Sequence, residues 1–277
     1  MIGVLGASSV VLREDERACD PAEFLVSRKS RKFMGLQDQL AVVAVGRALA
    51  SAGLERAQGE RTGLFAAVGY IPFERADIDP VLADSLTDGR FDVLRFGREG
   101  YTRAHPLLTF RCLPNMPAYH VSANFDVRGP CMVGYPGPGQ TYLALDEARA
   151  LLEEGAIDRA IVLGVAHQRN FLVEHHHERI GVGPERLRDA GACVLLARDG
   201  QGRARARLDS LRVDYTSFDP LAEIPTLREA PAAGAELGPA SPLAAVAAWI
   251  DGGARGPLEH RVDARDGLSG RSRWVTS

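Results

Sequence analysis

The chain's chemistry has to come from four cysteines, a histidine run and one proline-glycine turn, so their spacing is the first question. Cys19, Cys112, Cys131 and Cys193 are scattered, with no CxxC pair. That spacing excludes a disulfide frame and a paired-cysteine zinc site, and it implies reduced thiols. Cys112 and Cys193 read as small buried apolar residues. Cys131 lies in an apolar run where a strand interior would give its thiol neither a base nor a helix dipole. His175, His176 and His177 follow Glu174, but three consecutive side chains cannot converge on one ion. The run therefore reads as a solvated loop, and no metal or other cofactor is expected. In YPGPGQ (135–140) the prolines remove amide donors that a phosphate cradle would need. Gln140 can cap its own helix or offer its amide to a neighbouring pocket, and both readings stand.

Charge sets the class of partner. Lys and Arg number 33 against 36 Asp and Glu, a net charge of −3, which argues against general nucleic-acid binding. The arginines of RARARL (203–208) suit a solvated strand face, or a dock for an acidic carrier protein. No apolar run is long enough to cross a membrane. The start lacks a basic leader and meets Arg13, Glu14 and Asp15 early, so a cytoplasmic protein is expected.

The elements that must hold these residues follow from hydrophobic period. MIGVLGASSVV (1–11) suits a buried strand, and residues 13–33 a surface loop. Leu36, Leu40, Val43, Ala44 and Ala48 recur at helical steps, with Gly53 placed to end the helix. RTGLFAAVGY (61–70) is a strand, 78–86 a short helix and 87–104 a loop. Helical segments over 106–113 and 115–125 lead to a strand at 127–135, a sharp break at PGPG, and a helix at 139–155. IDRAIVLGVA (157–166) completes a parallel strand–helix–strand unit. Residues 190–199 and 203–215 suggest two neighbouring strands, 219–240 a loop, and 241–253 a helix with Ser241 as N-cap. Two half-buried strands end the chain.

Read in order, these phrases resemble the β-ketoacyl synthase branch of the thiolase-like fold. GLQDQLAVVAVGRALASAGL (35–54), RTGLFAAVGY, LPNMPAYHVSANFDVRGP (113–130), ALDEARALLEEGAIDRAIVLGV (144–165) and DAGACVLLARD (189–199) carry the resemblance. It implies an α/β fold, a layered α-β-α-β-α sandwich. Residues 1–200 would be a ketosynthase-like N-terminal half, and 201–277 a truncated C-terminal half completing the sandwich.

The same resemblance implies a catalytic cysteine at the elbow after the Gly129-Pro130 strand, and two histidines from the C-terminal half. Counting from either flank puts Pro138 at the elbow, with Gly139 and Gln140 beside it. Proline has no nucleophile and no N–H for an oxyanion hole. After residue 199 the only histidine is His260, in neither of the family's histidine phrases. The implied role is that of a non-catalytic, chain-length-factor-like partner of an active ketosynthase, in a heterodimer that meets an acyl carrier protein. The resemblance is closest to shortened subunits of aryl-polyene type synthases. Val127, Arg128, Gly129, Pro130, Cys131, Met132 and Val133 would form the subunit interface. Leu108, Phe110, Arg111 and Cys112 would shape the acyl tunnel by occlusion. The alternatives are a stand-alone acyltransferase using Cys131 or His120, and a purely structural scaffold.

Overall fold

An apolar, β-branched start has no polar face to leave in water, and it forms the almost wholly buried strand β1 (Ile2–Val11). The structure, a computed structural model, describes residues 1–179, 183–198, 202–216, 234–263 and 267–277. Next come α1 (Leu36–Ser51), β2 (Thr62–Val68), α2 (Arg75–Ala83), the short β3 (Leu86–Thr87) and β4 (Arg90–Phe91), and α3 (Val93–Arg98). Then follow α4 (Leu108–Cys112), α5 (Met116–Phe125), β5 (Cys131–Gly134), α6 (Pro138–Glu154), β6 (Arg159–Ala166) and α7 (Phe171–Glu178). The chain finishes with β7 (Ala190–Arg198), β8 (Ala206–Tyr215), α8 (Ser241–Asp251), β9 (Leu258–Asp263) and β10 (Leu268–Thr276).

Eight strands form one sheet, in the order β5-β2-β6-β7-β1-β8-β10-β9. β5 and β6 both run parallel to β2, so the β5–α6–β6 unit steps across β2. β7 runs antiparallel to β6 and to β1. The sequence suggests β7 and β8 as neighbours, but β1 lies between them and pairs antiparallel with both. A strand buried on both faces needs partners along both edges, because an edge would leave its N–H and C=O row unpaired. The strands after residue 200 thus extend the sheet through β8.

Alternating side chains send the core to two sides. Leu64, Ile161 and Leu195 face α1 and α5, where Leu40, Leu49 and Phe125 meet them. Phe65, Val162 and Val194 face α6 and α8, against Tyr142, Leu145 and Leu243. Close approach makes two glycines obligatory. A Cβ on Gly6 would stand 2.3 Å from the Ala48 carbonyl oxygen of α1, and one on Gly164 would stand 2.1 Å from that of Pro239.

Several local expectations change. Residues 13–33 are not a bare surface loop, because Cys19 and Leu25 are buried and 3-10 turns form at Ala22–Phe24 and Arg28–Phe33. The short helix starts earlier than expected, and Leu86 belongs to β3. The β3–β4 hairpin and α3 fill much of the expected loop at 87–104; Asp92 caps α3 by accepting from the amides of Leu94 and Arg95. Only Cys131–Gly134 of 127–135 is strand. The histidine run is helix α7, because the Asn170 side chain accepts from the amides of Leu172 and Val173. Ala240, not Ser241, is the N-cap of α8. Most of the expected loop at 219–240 lies outside the described residues.

Candidate functional site

The carboxyl end of β5 delivers the chain into the elbow. The turn passes through a cis Tyr135–Pro136 bond, Gly137 is the N-cap, and Pro138 opens α6. PGPG is therefore a helix start as well as a breaker, since proline suits a first turn whose N–H would be unpaired. Of the next amides, that of Gln140 donates back to the Gly137 carbonyl at 3.1 Å. The Gln140 side chain lies against Gly134, where a Cβ would meet its Oε1 at 2.9 Å. Thr141 donates its hydroxyl to the Pro239 carbonyl at 2.6 Å, anchoring the helix to the segment before α8. Nothing at Pro138 can attack a thioester, and an oxyanion there finds one donor fewer.

Cys131 is exposed on β5, the outer strand of the sheet, and not enclosed in a strand interior. Neighbouring chain still desolvates its sulfur and raises the thiol. Val127 and Arg128 precede β5, with Val127 buried and bridged to Gly59, while Arg128 pairs with Asp126 and Glu60. Gly129 is pressed to the Thr62 carbonyl, Pro130 accepts from the Leu64 amide, and Met132 and Val133 are half-buried.

The histidines are engaged elsewhere. His260 on β9 meets the Tyr142 hydroxyl, which lies 2.7 Å from its Nδ1 and 2.9 Å from its carbonyl oxygen. Burial lowers the His260 pKa and pushes the Tyr142 hydroxyl up to about 12, so both stay neutral at physiological pH. His120 is buried in α5, 3.9 Å from Asp38. Burial lowers its pKa and raises that of Asp38, so the charged form of each is disfavoured. His177 is buried and bonded to the Val173 carbonyl, while His176 packs on Tyr70. Among the described residues, no cluster of His, Cys, Asp and Glu could hold a metal ion.

α4 divides its side chains between two cavities. Phe110 edges a cavity of about 720 Å³ beside α5, together with Phe33 and Met116. Arg111 and Cys112 line another, of about 210 Å³, with Asp77 and His167. Arg111 pairs with Asp77 at 2.9 Å, and burial pushes the Cys112 thiol up to about 11. Leu108 is half-buried and edges neither. Cys193 is buried in β7.

This scaffold, with its parallel β2, β5 and β6 and a helix springing from the β5 elbow, has a counterpart. A model of the beta-ketoacyl synthase N-terminal domain matches residues 4–173. The chain belongs to the β-ketoacyl synthase family. Among solved structures, the ishigamide ketosynthase/chain length factor is similar with a TM-score of 0.67 at 17% identity, covering 99% of each chain. AntDE:AntF is a type II polyketide synthase acyl-carrier protein in complex with its ketosynthase bound to the hexaketide. It is similar with a TM-score of 0.73 at 10% identity, covering 100% of this chain and 99% of that one. A beta-ketoacyl synthase from Burkholderia phymatum STM815 gives 0.72 at 12% identity, covering 100% and 99%. At such identities the likeness is one of fold, and it is the thiolase-like α/β fold of ketosynthases. None of the curated proteins matches the sequence. Among the described residues, no helix is long and apolar enough to cross a membrane.

Two features of this family member escape sequence reasoning. The Tyr142–His260 contact joins residues 118 positions apart, with no local signal. The larger cavity arises between two surface segments, 26–33 and 110–124. The sequence offers Phe110 as a tunnel residue but gives no sign that segment 26–33 packs beside it.

Proposed function

We propose that this chain is a non-catalytic, chain-length-factor-like partner of an active β-ketoacyl synthase, in cytoplasmic polyketide or fatty-acid-like biosynthesis. One observation carries the reading: Pro138 opens α6 where the family's scaffold calls for a nucleophile. The commitment of His260 Nδ1 to the Tyr142 hydroxyl supports it, because that hydrogen bond ties the imidazole to the buried face of α6. In this role the exposed β5 edge and residues 127–133 join the active subunit, and the α4 side chains bound the growing acyl chain. The carrier protein reaches the pair through the active subunit. The raised thiol of Cys131 and the enclosed His120 speak against the stand-alone acyltransferase.

The test is co-expression with a genomically neighbouring ketosynthase. Co-purification, with product length increased in Phe110→Ala, is the expected result. Failure to co-purify refutes partnership; unchanged product lengths with an intact complex leave a structural scaffold and refute length control.

A further inference from the structure

At the end of the sheet opposite β5, strand β9 pairs with β10 on one side only; among the described residues no strand lies on its other side. An edge strand turns alternate N–H and C=O groups outward, where another strand can take them. Proline and bulges blunt many edges, and Leu258–Asp263 contains neither. The β9–β10 register is unbroken, whereas the β8–β10 and β1–β7 ladders each carry a shift. Only charge is left to govern what this edge accepts.

That charge is unbalanced across the strands. Arg261 lies opposite Arg271 of β10, and Arg271 lies opposite Arg212 of β8. Like charges set directly across a sheet destabilise it. Asp214 relieves the inner end of the row, 2.7 Å from Arg212. A carboxylate beyond β9 would relieve the outer end. Glu259 stands two residues from Arg261 and both are exposed, so they share the outer face of the strand. A second β9 running antiparallel therefore supplies that carboxylate.

Two antiparallel registers pair five residues of β9 with those of a copy. The one centred on Arg261 sets that arginine against itself. The one centred on His260 sets Glu259 of each copy against Arg261 of the other. It also sets Leu258 against Val262, two half-buried residues on the inner face. Each His260 keeps its own bond to Tyr142.

We infer that β9 is a homotypic interface, pairing antiparallel with β9 of a second copy about a two-fold axis at His260. The sheet then runs on through both chains. Because β5 lies at the far end, the inference does not rest on the proposed partner role.

So short a contact predicts a weak, reversible dimer. Sedimentation velocity on the full chain, from micromolar to submillimolar concentration, should show a monomer–dimer equilibrium. Glu259→Arg and Arg261→Glu each turn two attractive cross-strand pairs into like-charge pairs, and each should weaken the dimer about tenfold or more. The double variant restores both pairs in reversed order and should recover most of the affinity. Both side chains are exposed, so melting temperatures should shift little. Amide exchange on the unmodified chain gives a second reading, slowing in β9 as concentration rises. A chain that stays monomeric overturns the inference, as does a dimer indifferent to both reversals or not recovered in the double variant. So does a dimer that protects β5 amides and leaves β9 unchanged.

Discussion

Replacing Tyr142 by Phe should loosen the C-terminal hairpin from the elbow helix. The ring is fully buried and fills the space over Gly270 of β10, where a Cβ would fall 2.1 Å from its Cγ. Phenylalanine keeps that packing and removes only the hydroxyl. The hydroxyl contacts His260 Nδ1 at 2.7 Å, the His260 carbonyl at 2.9 Å and Ser272 Oγ at 3.4 Å. Trp274 already donates its indole N–H to Ser272 at 2.9 Å, so the serine keeps a partner while His260 loses one. Leaving such groups unpaired costs about 1–3 kcal/mol. For a chain of this size that lowers the melting temperature by roughly 2–10 °C. Calorimetry reads the total, and amide exchange should accelerate in β9 and β10 before α1. The His260 pKa is lowered by burial, so the unfolded chain takes up its proton first. Stability should therefore fall as pH drops below about 6.5 and level off beneath the folded pKa. An unchanged melting temperature with unchanged β9 and β10 exchange would refute the clamp.

Arg169 is nearly buried against Asp189 at 2.7 Å and also donates to the carbonyls of Arg13, Glu14 and Glu16. Arg169→Ala should cost about 3–5 kcal/mol by stranding the buried carboxylate, read as a lower urea midpoint. Asp38 is raised by burial, so the folded state holds its proton longer than the unfolded chain does. Its stability contribution is complete below the ordinary carboxylate range and is lost as pH rises through the folded pKa. Asp38→Asn, which keeps an oxygen for the Gly35 amide, should thus raise the urea midpoint at pH 8 and make no difference near pH 3. Maleimide should label exposed Cys131 in the isolated chain while sparing fully buried Cys193. A bound ketosynthase should protect Cys131; equal labelling in the complex counts against the β5 interface.

The helices α1 and α6 were legible because an apolar stripe at three- and four-residue steps is a local signal, and Gly155 at φ 75° ends α6 where the sequence suggests. The strands β1, β2, β6 and β7 were legible as apolar runs. The histidine run reads as loop in the sequence because its helix depends on Asn170, whose capping role competes with ordinary loop use of asparagine. Strand order was illegible at β7 and β8, where a short connection suggests a hairpin but burial of β1 demands two partners.

From the sequence alone come the family scaffold and the absence of a nucleophile at Pro138, because residue identity decides whether a side chain can react. Only the tertiary structure decides that Cys131 is exposed at the sheet edge, that His260 is bound to Tyr142, and that segments 26–33 and 110–124 enclose a cavity. Those are properties of contacts between segments far apart in the chain, and packing creates them.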